Sequence, residues 1–206
     1  MYASDMVVTN LKEQVKNPDR VSVFVDGKYS FSLTLSEVLT EKIKVGLELN
    51  GAKINDLKKI SEEGKLKMRV LAWITMRPHS ERELRDYLFR KKVDKDMAQS
   101  LIEWVQTKGF QDDESFARWF AEGRLRKNKS WRAVQAELKA KGISLVTIQS
   151  IASELNSAQN DSEALQKLID KLSTKPRYQD QKKLIQYLIS KGFNYSEIKE
   201  ALSEKA

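Results

Sequence analysis

At 206 residues and 40% hydrophobic content, the chain can build one domain or two small ones around a real core, and no apolar run is long enough to suggest a membrane span. Zero cysteines exclude disulfides and thiolate metal sites, and a single histidine, His79, leaves imidazole triads and zinc clusters short of members, so no catalytic, metal or cofactor site is expected. The net charge of +8 favours a nucleic-acid or acidic-protein partner.

The opening MYASDMVVTN lacks the basic and apolar regions of a secretory leader, which points to a cytoplasmic protein. Residues 1–65 read as a separate small unit. Val21, Val23 and Val25, then Tyr29, Phe31 and Leu33, alternate around Asp26-Gly27, the signature of a β-hairpin, and the run from Met6 to Val15 offers a third strand. Ser36 to Lys44 reads as a short helix with Val38 and Leu39 turned inward. After the turn at Asn50-Gly51, the spacing of Ile54, Leu57 and Ile60 predicts a further short helix.

From Leu66 the hydrophobic period is helical, and the pattern recurs every 50 residues. Leu84, Val134 and Leu184 correspond, as do Leu88, Leu138 and Leu188, then Val93, Ile143 and Phe193, then Ala98, Ile148 and Ile198. Asp94, Ser144 and Asn194 are N-cap residues at the same spacing; Gly142 and Gly192 stop the preceding helix where the first unit has Lys92. The pattern predicts three tandem three-helix repeats, at 66–112, 113–160 and 161–206, in an elongated curved array. Each needs an earlier helix, supplied by Lys67 to Thr75, Glu114 to Arg126 or Ser162 to Leu172. The fold class is therefore mainly α, with a β-hairpin-containing unit in front. The expected repeat core comprises Leu84, Leu88, Phe116, Phe120, Leu138, Ile143, Leu184, Leu188 and Phe193. Ser80 and Glu83 have capping-box spacing.

The excess charge lies entirely beyond residue 65, since residues 1–65 carry ten cationic and ten acidic side chains. It is densest in the central repeat, where Arg124, Arg126, Lys127, Lys129, Arg132, Lys139 and Lys141 face only Glu137. Arg124, Arg126, Lys127, Lys129, Trp131 and Arg132 are the expected partner or nucleic-acid contacts, because a guanidinium fork suits carboxylate or phosphate and an aromatic among cations can stack on a base. Asp112, Asp113 and Glu114 suit a helix start, and Phe116, Trp119 and Phe120 have the i, i+3, i+4 spacing of a core. The first repeat also has the look of a winged helix, which keeps open a DNA-binding protein acting without any protein partner.

The chain resembles the regulatory protein RecX family, modulators and usually inhibitors of the RecA recombinase. The resemblance spans about residues 66–206. Its most specific part is Asp113, Phe116, Ala117, Phe120 and Arg124 followed by Glu137, Leu138, Lys141, Gly142 and Ile143. Ser80, Glu83, Leu84 and Leu88, and Leu184, Leu188, Lys191, Gly192 and Phe193, are similar to the flanking motifs, and residues 21–33 to a β-rich extension found in some members. Many members carry a glycine before the middle helix of the second repeat, where this chain has Lys129-Ser130-Trp131. The resemblance implies repeats that lie in the groove of a RecA filament on single-stranded DNA and impede filament extension and strand exchange in DNA repair and recombination; the chain is expected to be a monomer. Binding to single-stranded DNA alone is expected to be weak and salt-sensitive.

Overall fold

The computed structural model describes residues 5–15 and 17–203, so the first four residues of the opening lie outside it. The chain divides into two compact units, Met1–Trp73 and Ile74–Ala206.

In the first unit, strands β1 (Met6–Gln14), β2 (Asn17–Val25), β3 (Lys28–Thr34) and β4 (Glu48–Leu49) form an antiparallel sheet in the order β3-β2-β1-β4. Asp26 and Gly27, at φ 47° and 75°, make the two-residue hairpin turn whose twist matches paired strands. Asp26 Oδ1 also accepts the Val7 amide at 2.9 Å, pinning the turn to β1. Val8, Val23, Val25, Phe31 and Leu33 pack with Ile54 and Leu57 of helix α2 (Gly51–Ile74) into one core. A register shift between Val23 and Phe24 turns Tyr29 away from it, so that Tyr29 meets Phe24 edge-on at 6.1 Å and is exposed.

Three expectations change here. Helix α1 is shorter, Leu35–Thr40, held by a full capping box between Thr34 and Glu37; Val38 packs on the core but Leu39 is 77% exposed. The two helices expected around residue 65 are one, because α2 runs unbroken for 24 residues through Gly64. Gly64 is where the buried Arg20 passes beneath α2: a Cβ there would meet Arg20 Nη1 at 3.0 Å. Arg20 donates to the carbonyl oxygens of Ser32 and Ser61 at 2.5 and 3.3 Å, strapping β3 to α2, and a side chain at position 64 would crowd it.

Beyond α2 come α3 (Glu81–Arg90), α4 (Lys95–Thr107), α5 (Asp113–Leu125), α6 (Trp131–Ala140), α7 (Leu145–Glu154), α8 (Ser157–Ser173), a single 3₁₀ turn at Pro176–Tyr178, α9 (Gln181–Ser190) and α10 (Tyr195–Ser203). These make two complete three-helix repeats, α5–α7 and α8–α10, with α3 and α4 the middle and third helices of the repeat before them. Helices α3, α6 and α9 are the middle helices. Ser80, Ser130 and Asp180 cap them, accepting the amides of Glu83, Ala133 and Lys182. Leu84, Val134 and Leu184 are buried, as are Leu88, Leu138 and Leu188. Ile143 and Ile148 are buried in the second repeat and Phe193 and Ile198 in the third, whereas Val93 and Ala98 are half-buried in the first. Helix α4 runs to α5 through residues 108–112 with no hairpin between them, so no wing follows the third helix.

Each middle helix ends on a left-handed residue: Lys92 at φ 56°, Gly142 at 86° and Gly192 at 99°. Only Lys92 bears the steric cost of that conformation. Gly192 is under a second constraint, since a Cβ there would lie 2.5 Å from both Ala133 Cβ and Ser130 Oγ of the preceding repeat. At Gly109, φ 71°, nothing lies within 4 Å. Gly109→Ala is therefore expected to cost only backbone strain, about 1 to 2 kcal/mol, and Gly192→Ala distinctly more; Lys92→Gly should raise the melting temperature. Chemical denaturation of the three variants checks the order.

Candidate partner-binding groove

Successive repeats are joined cap to cap. An α-helix begins with amides that have no partner inside the helix. At the first joint the leading amide of α3, Glu81 N–H, donates to Asp113 Oδ1 of α5 at 2.8 Å, and Gln111 Nε2 donates to the same oxygen at 2.8 Å. At the second joint the leading amide of α6, Trp131 N–H, donates to both oxygens of Asp161 of α8 at 2.7 Å. Burial raises the Asp113 carboxyl above its ordinary range, outweighing the Glu81 and Gln111 hydrogen bonds. Burial likewise pushes Asp161 up to about 6, against the Trp131 hydrogen bond and with Glu197 adding repulsion.

Glu83 is the charged centre of the first joint. Its backbone amide meets the Ser80 cap at 3.2 Å, yet its carboxylate does not complete the expected capping box. Oε2 instead lies 2.8 Å from Arg77 Nη1 and 3.1 Å from Nδ1 of the buried His79, and Oε1 lies 2.6 Å from Lys141 Nζ of the second repeat. Burial penalises the charged form, but the bonds from Arg77 and Lys141 prevail and hold Glu83 at about 2. The corresponding position at the second joint is Ala133, and there Lys191 Nζ reaches the Lys127 carbonyl at 3.3 Å while the Lys191 carbonyl accepts the Ser130 amide at 2.9 Å.

Beside this centre opens a groove of about 470 Å³. Its floor is Trp119, Phe120 and Gly123 of α5, and its cations are Arg77, Arg124, Arg126, Lys127 and Lys141, with Glu83 the one acidic lining residue. Helix α5 presents this floor because Phe116, Ala117 and Ala121, not all three large aromatics, form its buried stripe. Phe116 is fully buried, Phe120 is half-buried, and Trp119 is 39% exposed with the Arg77 guanidinium 5.6 Å from its ring centre. Small residues at 117 and 121 were the signal that the stripe is rotated.

The six cationic-run residues divide. Arg124 is committed within the repeat: Nε lies 2.6 Å from Glu137 Oε2 and the guanidinium 4.6 Å from the Phe120 ring centre. Arg126 and Lys127 are exposed at the rim of the groove, with Glu122 a loose 3.5 Å from Arg126. Lys129 and Arg132 reach the third repeat, donating to the Ser190 carbonyl at 3.4 Å and to Asn194 Oδ1 at 2.5 Å. Trp131 is half-buried against the second core and belongs to the second joint. Asp112 caps α5 through the Ser115 amide at 2.7 Å. Sequence reasoning missed Arg77, Trp119, Glu83 and Lys141 as one site, since they are distant in the chain and only the joint brings them together.

A small antiparallel sheet followed by three cap-joined three-helix repeats defines a tandem-repeat protein with a cationic groove rather than a single enclosed pocket. Residues 6–50, 67–104, 112–150 and 162–202 match the family models described as the regulatory protein RecX N-terminal domain and the first, second and third three-helix domains of RecX. The chain belongs to the regulatory protein RecX family. It is 30% identical over 192 residues to the regulatory protein RecX of Clostridium beijerinckii, covering 91% of this chain and 90% of that one. It is 29% identical over 202 residues to that of Clostridium botulinum strain Eklund 17B, at 96% and 95% coverage. A crystal structure of regulatory protein RecX shares the fold at a TM-score of 0.72 and 21% identity over 95% of this chain and 99% of its own; that of RecX from Lactobacillus salivarius does so at 0.58 and 20% over 69% and 95%. Among the described residues no helix is long and apolar enough to cross a membrane.

Glu83 and Asp161 have opposite pH signatures. Glu83, depressed in the folded protein, contributes stability that is present above about pH 4.3 and lost as pH falls toward 2. Asp161, raised, contributes in the other sense: its native state holds the proton more tightly, so stability is lost as pH rises from about 3.9 through 6. Melting temperature against pH should therefore flatten below about pH 4.3 in Glu83→Gln and between about 4 and 6 in Asp161→Asn.

Proposed function

We propose that this chain binds the RecA recombinase filament on single-stranded DNA and modulates, mainly inhibits, recombinase activity in DNA repair and recombination. It acts in the cytoplasm by occupying the filament, without chemistry of its own. Family membership supports the regulatory role, and the observation that carries the contact is the cationic groove at the joint of the first two repeats, whose rim residues Arg126 and Lys127 stand exposed. A filament of protein on nucleic acid offers carboxylates and phosphates together, and exposed cations gain more from such a partner than from water.

The division of the basic run sharpens the contact assignment. Arg126 and Lys127 are the partner-facing pair, whereas Lys129 and Arg132 are tied to the third repeat. Arg126→Glu with Lys127→Glu should leave melting nearly unchanged, since exposed substitutions typically move stability by under about 0.5 kcal/mol, yet should abolish co-sedimentation with RecA filaments and inhibition of strand exchange. Lys129→Glu with Arg132→Glu should lower the melting temperature as well. A folded Arg126/Lys127 variant that co-sediments and inhibits like the parent would remove the groove from the interface. A parent chain that binds bare DNA and ignores filaments would instead favour a general DNA-binding protein acting without RecA.

A further inference from the structure

We infer that the groove takes a nucleotide of a single strand, its base lying on Trp119 and its phosphate between Arg126 and Lys127. This deepens the reading of the groove as a partner-facing surface and rests on it. Trp119, Gly123, Arg126 and Lys127 stand at i, i+4, i+7 and i+8 along α5 and its C-cap, which places them in one stripe. The Cα atoms of Trp119 and Arg126 are about 10 Å apart along the axis, and the position between them is a glycine over which the Arg126 guanidinium folds back. The floor there is bare: a Cβ on Gly123 would touch only the Arg126 guanidinium, at 3.8 Å.

Helix α5 buries Phe116, Ala117 and Ala121, while Trp119 remains 39% exposed at the edge of a cationic cavity. A flat, partly exposed indole beside cations is the arrangement by which proteins hold unpaired bases without reading their sequence.

The alternative occupant, an acidic peptide segment, fits less well. Carboxylates are best held by guanidinium forks, and two of the groove's three guanidiniums already stand beside a carboxylate, Arg77 by Glu83 and Arg124 by Glu137. What remains at the rim is Arg126, with its loose Glu122 contact, and the point charge of Lys127, a pair suited to a phosphate.

The test is fluorescence polarisation of a labelled oligothymidylate with the full chain, across a salt series. Trp119→Ala should weaken binding by about 5- to 150-fold with an unchanged slope of log affinity against log salt, because stacking carries no charge. Trp119→Phe should restore most of the affinity. Gly123→Leu should fold at least as well as the parent, leucine being the better helix former, and should bind poorly because its side chain fills the floor. Arg126→Gln with Lys127→Gln should flatten the salt slope by about 0.7 to 1.4, one to two phosphate contacts on a single strand. Parent-like binding by Trp119→Ala or by Gly123→Leu would overturn the assignment, and so would a labelled oligoglutamate that binds more tightly than oligothymidylate and depends on Trp119. Co-sedimentation with RecA filaments on the same samples separates the two readings. Trp119-dependent oligothymidylate binding by a chain that ignores filaments upholds the nucleotide site and refutes the filament reading; filament binding with no Trp119 effect on oligothymidylate does the reverse.

Discussion

A helix starts with amides that its own turns cannot satisfy, and this protein turns that deficit into the connection between its repeats. The leading amide of each of the first two middle helices is capped by an aspartate of the next repeat, Asp113 for α3 and Asp161 for α6. A side chain from the following repeat thus completes a helix of the preceding one. The glycine ends of the next middle helices close the same joints from the other side, Gly142 against Arg82 and Gly192 against Ser130 and Ala133. Cap, glycine and aspartate recur at near-equal spacing because each joint has the same backbone requirement.

What differs between the joints is charge, and that difference places the groove. At the first joint Glu83 gathers Arg77, His79 and Lys141; at the second, Ala133 stands in its place and backbone carbonyls receive the lysines. Ala133 is also the residue that Gly192 approaches, a Cβ on that glycine falling 2.5 Å from the Ala133 Cβ. Holding Arg77 and Lys141 over one carboxylate leaves the neighbouring face of α5 lined by cations and open at Gly123.

Much of the fold is legible in the sequence because its signals are local. Asp26-Gly27 and the flanking alternation specify the hairpin, and apolar positions recurring every 50 residues specify the repeated helices. The errors arise where a local signal competes with a distant partner. Ser80 and Glu83 have capping-box spacing, but two cations and a histidine offer the carboxylate stronger bonds than a backbone amide does. Phe116, Trp119 and Phe120 have core spacing, but Ala117 and Ala121 allow α5 to approach its neighbours on a different stripe and leave Trp119 outside. The helices expected on either side of residue 65 are one, and Gly64 within it is the clearance for a buried arginine. The basic run is legible as charge only; which members face a partner and which bind the next repeat depends on where Asn194 and Ser190 arrive, some 60 residues later.

A face at the first joint that meets the partner must lose exchange with solvent when the partner binds. Hydrogen exchange read by mass spectrometry, with and without RecA filaments on single-stranded DNA, tests it most directly. New protection is expected in peptides covering residues 77–83, 119–127 and 141, three segments distant in the chain and adjacent at the groove. Protection confined to the sheet unit or to the third repeat, with those three segments exchanging as in the unbound protein, would contradict it.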